Sequence, residues 1–451
     1  MRIVRWGLFV MLACTPVAFA LQQPDECTID HIYSAGWMQF GRVENSTDIS
    51  HYNYNRNWIF QEGALIGLKA SFGSRLSAGG GMGVASLYPA LCDNQSGEMH
   101  QILVPFITEA QITYSQGDYH DLLFQATAGF FPYNYNPDCR NLGSYLFRGS
   151  VYPGYLYSSF DANEMVGLAT LTGLKLSTTI LKDFRQDLIF SIETALKPYY
   201  DISVGYVADL KVKKAFDFSA GVNFYHLISL NENLTTPGKK ASQSSDTLDP
   251  YNNNYYYVGP GSDTAIYTNR GTKLMGRFSF EPLKLFDQHT PDVNKPKGNN
   301  IKIYAEAAII GIENYRYAYD DIARRIPIMI GLTVPTWRIL DLLTFETEYY
   351  RCPYRNDPHK NLNNPLPSAL PRPNGYYDYR VDTTTVHFSP DDDDVKWSVY
   401  AFRDFGNHIR LTGQIANDHM RMGGSGFYPS SEEALSSLKD WYWMLKCMYL
   451  F

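Results

Sequence analysis

Sixteen stretches of alternating apolar and polar residues recur along this 451-residue chain, and the connections between them keep their lengths in phase. The stretches are 32–43, 58–72, 75–88, 101–115, 121–131, 166–180, 187–196, 201–211, 216–230, 271–285, 300–313, 322–333, 341–351, 396–404, 408–420 and 438–451. Taken alternately, one set of connections is mostly short: "FGSR", "QGDYH", "KDFRQD", "KKAFD", "PTWRIL" and "FGNH", with "FDQHTPDVNKPKGNN" the exception. The other set is mostly long: 44–57, 132–165, 231–270, 352–395 and 421–437. Side chains of a strand point alternately to its two faces, so each stretch reads as a strand with one apolar side. A β-sandwich has no reason to keep connection length in phase from end to end. A barrel with short turns on one rim and long loops on the other does. The expected fold is therefore all-β: a single transmembrane antiparallel β-barrel of about sixteen strands (roughly 14 to 18), with short periplasmic turns and long extracellular loops. An even count places both chain ends at the short-turn rim.

Individual strands carry the same message. In "NIKIYAEAAIIG", Ile301, Ile303, Ala305, Ala307 and Ile309 share one face, and Lys302, Tyr304 and Glu306 the other. "KLMGRFSFE" sets Leu274, Gly276, Phe278 and Phe280 against Lys273, Met275, Arg277, Ser279 and Glu281. "LLTFETEYY" sets Leu343, Phe345, Thr347 and Tyr349 against Thr344, Glu346, Glu348 and Tyr350. Charges of both signs on the polar faces suit a water-filled interior.

The first twenty residues, "MRIVRWGLFVMLACTPVAFA", have the layout of a secretory signal peptide. Arg2 and Arg5 open it, residues 8–13 form an apolar centre, and Ala18-Phe19-Ala20 is a small-residue cleavage pattern. Residues 1–20 are thus expected to be removed, leaving 21–451 as the barrel; Met11 and Leu12 fit poorly with the alternative, a lipidated Cys14. No later stretch approaches the ~20 apolar residues of a membrane helix. Thirty-five Tyr and 25 Phe suit aromatic girdles at two membrane interfaces, and would equally suit a secreted carbohydrate-binding sandwich. A net charge of −7 carries no nucleic-acid footprint.

Signals of chemistry are sparse. There is no HExxH and no phosphate-cradling GxxxxGK[ST], and "MGGSGF" has Phe427 where a nucleophile elbow needs glycine. No enzymatic activity and no cofactor are expected. Asp391, Asp392, Asp393 and Asp394 in "PDDDDVKW" are hard oxygen donors but lack the ligand spacing of a calcium loop, so they read as a solvated turn. Glycines 79 to 83 in "GGGMG" read as relief of crowding or a kink within a strand. Beyond Cys14 the cysteines are Cys27, Cys92, Cys139, Cys352 and Cys447, too widely spaced for a disulfide framework. One bridge among the first four is open, with no pairing indicated, and Cys447 reads as a small buried hydrophobe.

The chain ends on "WYWMLKCMYLF", where Trp441, Trp443, Leu445, Cys447, Tyr449 and Phe451 form one wholly apolar face opposite Lys446. With this end, the signal peptide and the sixteen-strand pattern, the chain resembles Gram-negative outer-membrane porins. Trp443, Leu445, Cys447, Tyr449 and Phe451 match the terminal pattern that such proteins present to the barrel-assembly machinery. The resemblance implies an outer-membrane location, contact with outer-membrane lipid, small hydrophilic solutes as cargo and a homotrimer. It also implies a long third loop folded into the lumen, here within 132–165. Asp138, Arg140, Tyr145, Arg148, Tyr152 and Tyr155 are then candidates for the constriction. Lumen-side Lys69, Glu109, Lys175, Lys273, Arg277, Lys302, Glu306, Arg325, Glu346, Glu348 and Arg410 would face them and set charge selectivity. The implied function is passive or weakly selective diffusion. The alternative is a non-conducting barrel whose Tyr- and Asn-rich external loops, "YNNNYYYVGPG" and "NGYYDYR", bind a surface ligand or glycan.

Overall fold

The computed structural model describes residues 27–45, 55–56, 58–88, 103–118, 121–147, 169–181, 183–194, 200–228, 255–258, 264–267, 271–286, 300–312, 321–350, 394–417 and 438–451. The signal peptide, Arg148, Tyr152, Tyr155, Cys92, Cys352, Asp391, Asp392 and Asp393 lie outside these residues, as does the side chain of Asp394.

Among the described residues there are eighteen strands: β1 (Cys27–Asn45), β2 (Trp58–Phe72), β3 (Leu76–Tyr88), β4 (Leu103–Asp118), β5 (Asp121–Tyr133), β6 (Ala169–Leu181), β7 (Phe184–Ile192), β8 (Ile202–Val212), β9 (Phe216–Ile228), β10 (Tyr255–Val258), β11 (Thr264–Tyr267), β12 (Gly271–Phe280), β13 (Lys302–Ile309), β14 (Ile328–Thr333), β15 (Leu342–Tyr350), β16 (Asp394–Phe405), β17 (Ile409–Ala416) and β18 (Trp441–Leu450). Sixteen of them close into one antiparallel barrel, with β18 returning to pair with β1. Strands β10 and β11 form a separate hairpin within the long connection from β9 to β12. Each of the sixteen expected stretches falls on one barrel strand.

One stretch needs correction. Only Ile328–Thr333 of 322–333 is strand; Ile322–Arg325 is a 3-10 turn capped by Asp321, whose side chain accepts from the Ala323 amide at 2.9 Å. Pro327 has no N–H to donate, so beyond Ile328 the pairing is one-sided: only the Pro327 and Arg325 carbonyls accept, from Ala308 and Ile310. Arg325 is therefore not a strand-borne lumen charge. It is fully buried, with Nε donating to the Gly311 carbonyl at 2.8 Å.

Alternation sorts the barrel into a lipid side and a lumen side. On β14, Ile328, Ile330 and Leu332 are exposed while Met329, Gly331 and Thr333 are buried. On β18, Leu445, Cys447 and Tyr449 face outward and Tyr442, Lys446 and Met448 inward. Cys447 is thus exposed on the outer face rather than buried. The outer face carries aromatic residues at both rims: Trp58 and Trp443 at the long-loop end, stacked Phe216, Phe218 and Phe280 at the other. Closure leaves no sheet edge among the barrel strands, which is what lets strands cross a bilayer. Among the described residues, Glu62 is an outward carboxylate below the Trp58 rim, level in the ladder with Met38 and Ser86.

The inner wall of β1–β4 depends on glycine. An added Cβ at Gly79 would come 3.0 Å from Glu109 Oε2; at Gly81 it would collide with Thr108 Oγ1 and Tyr33, and at Gly83 with the Phe106 ring. Register shifts between Gly81 and Met82, opposite Thr108, and this bulge turns both Thr108 and Glu109 into the lumen. Crowding relief is therefore what these glycines supply. Gly129 and Gly173 face each other across β5 and β6 at φ +120° and +153°, with the Ala110 and Phe190 carbonyls where a Cβ would sit. Gly173→Val is expected to abolish barrel assembly, read as loss of the fast-migrating folded band in an unheated gel. A Gly173→Val barrel as heat-resistant as wild type would contradict this.

Candidate pore constriction

After Tyr133 the chain turns inward, and residues 134–147 pack against the inner wall formed by β7–β9 and β12–β16. Two sequence features set the local path. The Asn134 side chain accepts from the Asn136 amide at 2.9 Å, which starts the turn. Gly143 and Ser144 then adopt left-handed backbone at φ +82° and +59°, redirecting successive amides toward the wall.

Six consecutive amides find carboxylates there. Arg140, Asn141 and Leu142 donate to Glu346 at 2.7, 2.8 and 3.0 Å, Gly143 to Glu348 at 3.3 Å, and Ser144 and Tyr145 to Glu306 at 3.0 and 2.8 Å. Side chains add to the set. Tyr135 and Asn136 donate to Glu306 at 2.6 and 2.5 Å, Tyr145 to Glu348 at 2.8 Å, and Tyr304 to Glu346 at 2.8 Å. Asn141 also reaches Ser398 at 2.5 Å. Successive amides converging on an anion make a strong, directional site. Glu306, Glu346 and Glu348 are all buried beneath the loop, so they face its backbone rather than open water. Lys396 stands directly across the ladder from Glu348.

Apolar contacts seal the same contact surface. Tyr135, Cys139, Leu142, Tyr145 and Leu146 join one buried cluster with Ile189, Val207, Met275, Tyr304 and Met329. Wall glycines make room: a Cβ at Gly205 would stand 2.7 Å from the Phe147 ring, and one at Gly221 2.7 Å from Leu146. Cys139 is a free thiol inside this cluster. Burial pushes it well above the usual thiol range, and the nearby Glu306 carboxylate pushes it further.

Asp138 reaches a second group of charges. It lies 2.5 Å from Lys302 and 3.9 Å from Arg277. Arg277 in turn meets Asp217 at 2.9 Å and Asp209 at 3.5 Å, and Lys302 meets Glu281 at 3.1 Å. Glu281 lies on the polar face read for its strand; Asp209 and Asp217 were not among the expected lumen charges, although "ADLKV" and "FDFSA" set both aspartates at alternating positions. The remaining expected charges are dispersed. Lys69 is exposed on the inner face of β2; Glu109 accepts from Tyr33 at 2.6 Å and Gln111 at 2.5 Å. Lys175 lies 5.7 Å from both the Phe131 and Tyr133 rings, and Lys273 4.3 Å from the Tyr225 ring. Arg410 pairs with Asp404 at 2.7 Å.

A closed sixteen-strand barrel with an apolar outside, a charged inside and aromatic rims leaves one architecture. This is an outer-membrane-type β-barrel. No family model matches the chain, and no curated protein matches it. Among solved structures it is similar to a mutant Rhodopseudomonas blastica porin, at 7% identity over 94% of this chain and 100% of that one, with a TM-score of 0.43. It is also similar to Pseudomonas putida OprB (10% identity, 93% of this chain, 94% of that chain, TM-score 0.49). A third is Salmonella typhi OmpF in complex with daunomycin (9%, 93%, 97%, TM-score 0.44). At these identities and scores no residue role is carried across, and the fold rests on the strand ladder itself.

Proposed function

We propose that this barrel is a porin-like channel for passive diffusion of small hydrophilic solutes across the outer membrane, narrowed by residues 134–147. The observation that carries this reading is the seating of that segment on Glu306, Glu346 and Glu348, which fixes it inside the lumen. Asp138, Arg140 and Tyr145 belong to the narrowed level; Arg148, Tyr152 and Tyr155 complete the set we assign to it. The wall away from the loop supports a narrow passage, since inward Gln39, Gln61, Gln414, Tyr442 and Lys446 are also buried. Discrete single-channel steps of low conductance in planar bilayers are the expected result. A folded barrel with no steps would favour the second reading, a plugged barrel that acts through its external loops.

Two partner assignments accompany this reading. Trp443, Leu445, Cys447, Tyr449 and Phe451 form the outward face of the last strand, which supports a role as the assembly signal. The outer face around Glu62 suits a second copy in a homotrimer, because a carboxylate facing lipid is costly and a subunit contact removes that cost. Glu62→Lys is expected to shift the detergent-solubilised protein toward monomer by light scattering. An unchanged mass would place the subunit contact elsewhere.

A further inference from the structure

Residues 134–147 pack on β7–β9 and β12–β16, and β3 stands opposite them, eight strands from β13 in either direction around the barrel. On the inner face of β1–β4, which this segment leaves uncovered, two opposite charges stand close without meeting. Glu109 of β4 is buried, yet among the described residues it accepts only from neutral groups, Tyr33 at 2.6 Å and Gln111 at 2.5 Å. Lys69 of β2 is exposed. Neither has an ion-pair partner among the described residues.

The strand between them leaves the gap. Lys69 is level with Gly79 of β3, and Gly79 with Gln111 of β4, so Lys69 and Gln111 stand two strand spacings apart, about 10 Å. Glu109 leans over the middle position, where a Cβ at Gly79 would lie 3.0 Å from its Oε2. Gly79 and Gly81 thus floor a trough with a carboxylate on one bank and a lysine on the other. Thr108 Oγ1, buried at the Gly81 end, has no hydrogen-bond partner among the described residues. His31, level with Lys69 on β1, lies against Tyr33 at 6.1 Å and borders the lysine side. A carboxylate withdrawn from water is costly unless a cation meets it. A lone cation arriving here is opposed by Lys69, and a lone anion by Glu109. A solute that carries both charges is opposed by neither. An ammonium has three donors, enough for both Glu109 oxygens and Thr108 Oγ1, and the solute's carboxylate is left for the flexible Lys69.

We propose that this trough is a binding subsite for small zwitterions of the free α-amino acid class, with the ammonium on Glu109 and Thr108 and the carboxylate on Lys69. This solute class rests on the porin-like reading above, which supplies the lumen through which the solute arrives. The test is saturation-transfer NMR of L-alanine and of lactamide, its uncharged isomer, on the detergent-solubilised full barrel. The fast-migrating gel band serves as fold control. Wild type is expected to give a contact signal for alanine and little for lactamide. Lys69→Met and Glu109→Gln should each lower the alanine signal about tenfold, the scale of a lost charge-assisted hydrogen bond. Equal signals for the two solutes in wild type, or a wild-type alanine signal in either folded variant, would overturn the assignment. Should one variant not fold, the other decides. Swelling of proteoliposomes in lactamide reads conduction separately. No entry of lactamide would end the diffusion reading, and the subsite would still stand or fall on the alanine signal.

Discussion

Replacing Glu306 and Glu346 together by alanine is expected to release residues 134–147 from the wall and raise single-channel conductance severalfold. Glu306 accepts from Tyr135, Asn136, Ser144 and Tyr145 and from the Cys139 thiol, and Glu346 from Arg140, Asn141, Leu142 and Tyr304. Removing them orphans buried amides at a cost of about 1–3 kcal/mol each, which the loop can relieve only by moving back to water. An independent readout sits in the same segment. Cys139 is buried and its thiol is held protonated by burial and by Glu306, so a water-soluble maleimide should label it slowly in wild type at neutral pH and rapidly in the double variant. Glu346→Gln keeps one acceptor oxygen and should fall between the two. If conductance and labelling both stay at wild-type values in a folded double variant, the carboxylates do not hold the loop.

The second large effect concerns ion preference. Around Asp138 four carboxylates (Asp138, Asp209, Asp217 and Glu281) meet three cations, Arg277, Lys302 and Lys284. The excess of one negative charge at this level predicts a weak preference for cations. Asp209→Asn combined with Asp217→Asn should abolish it, and Arg277→Gln should strengthen it. Reversal potentials across a salt gradient are the measurement, taken below ~0.1 M, where the Debye length exceeds ~10 Å and fixed charges act across the passage. A preference that does not move in either variant would place the selecting charges elsewhere in the lumen.

Much of the barrel could be read in advance because it depends on a property that each residue carries alone. Whether Leu445 or Lys446 is apolar decides the face, and period-two alternation then fixes the strand. The 3-10 turn at Ile322–Arg325 escaped because alternation continues across it, while the lone interrupter, Pro327, lies at its far end. The carboxylates were harder for a different reason. Alternation sets Glu306, Glu346 and Glu348 on one face of their strands, but carries no sign of the segment some two hundred residues earlier that packs over them. Asp138 and the two cations it meets, Lys302 and Arg277, were all named; Asp209 and Asp217 were not, since they belong to the far end of an ion-pair chain. Gly79, Gly81 and Gly83 were legible as crowding relief; which rings crowd them depends on a bulge that no pattern announces.

The seating of residues 134–147 also fixes an order of events during folding. Their acceptors stand on β13, β15 and β16, between 161 and 257 residues further along the chain. The segment therefore cannot dock while only the first half of the sheet exists, and closing so long a loop is slow. A half-built barrel holds this stretch loose, with its amides in water and its apolar side chains uncovered. The narrow part of the passage is thus the last to take shape, and an assembly arrested after the strands close but before this docking would be a wide and leaky hole.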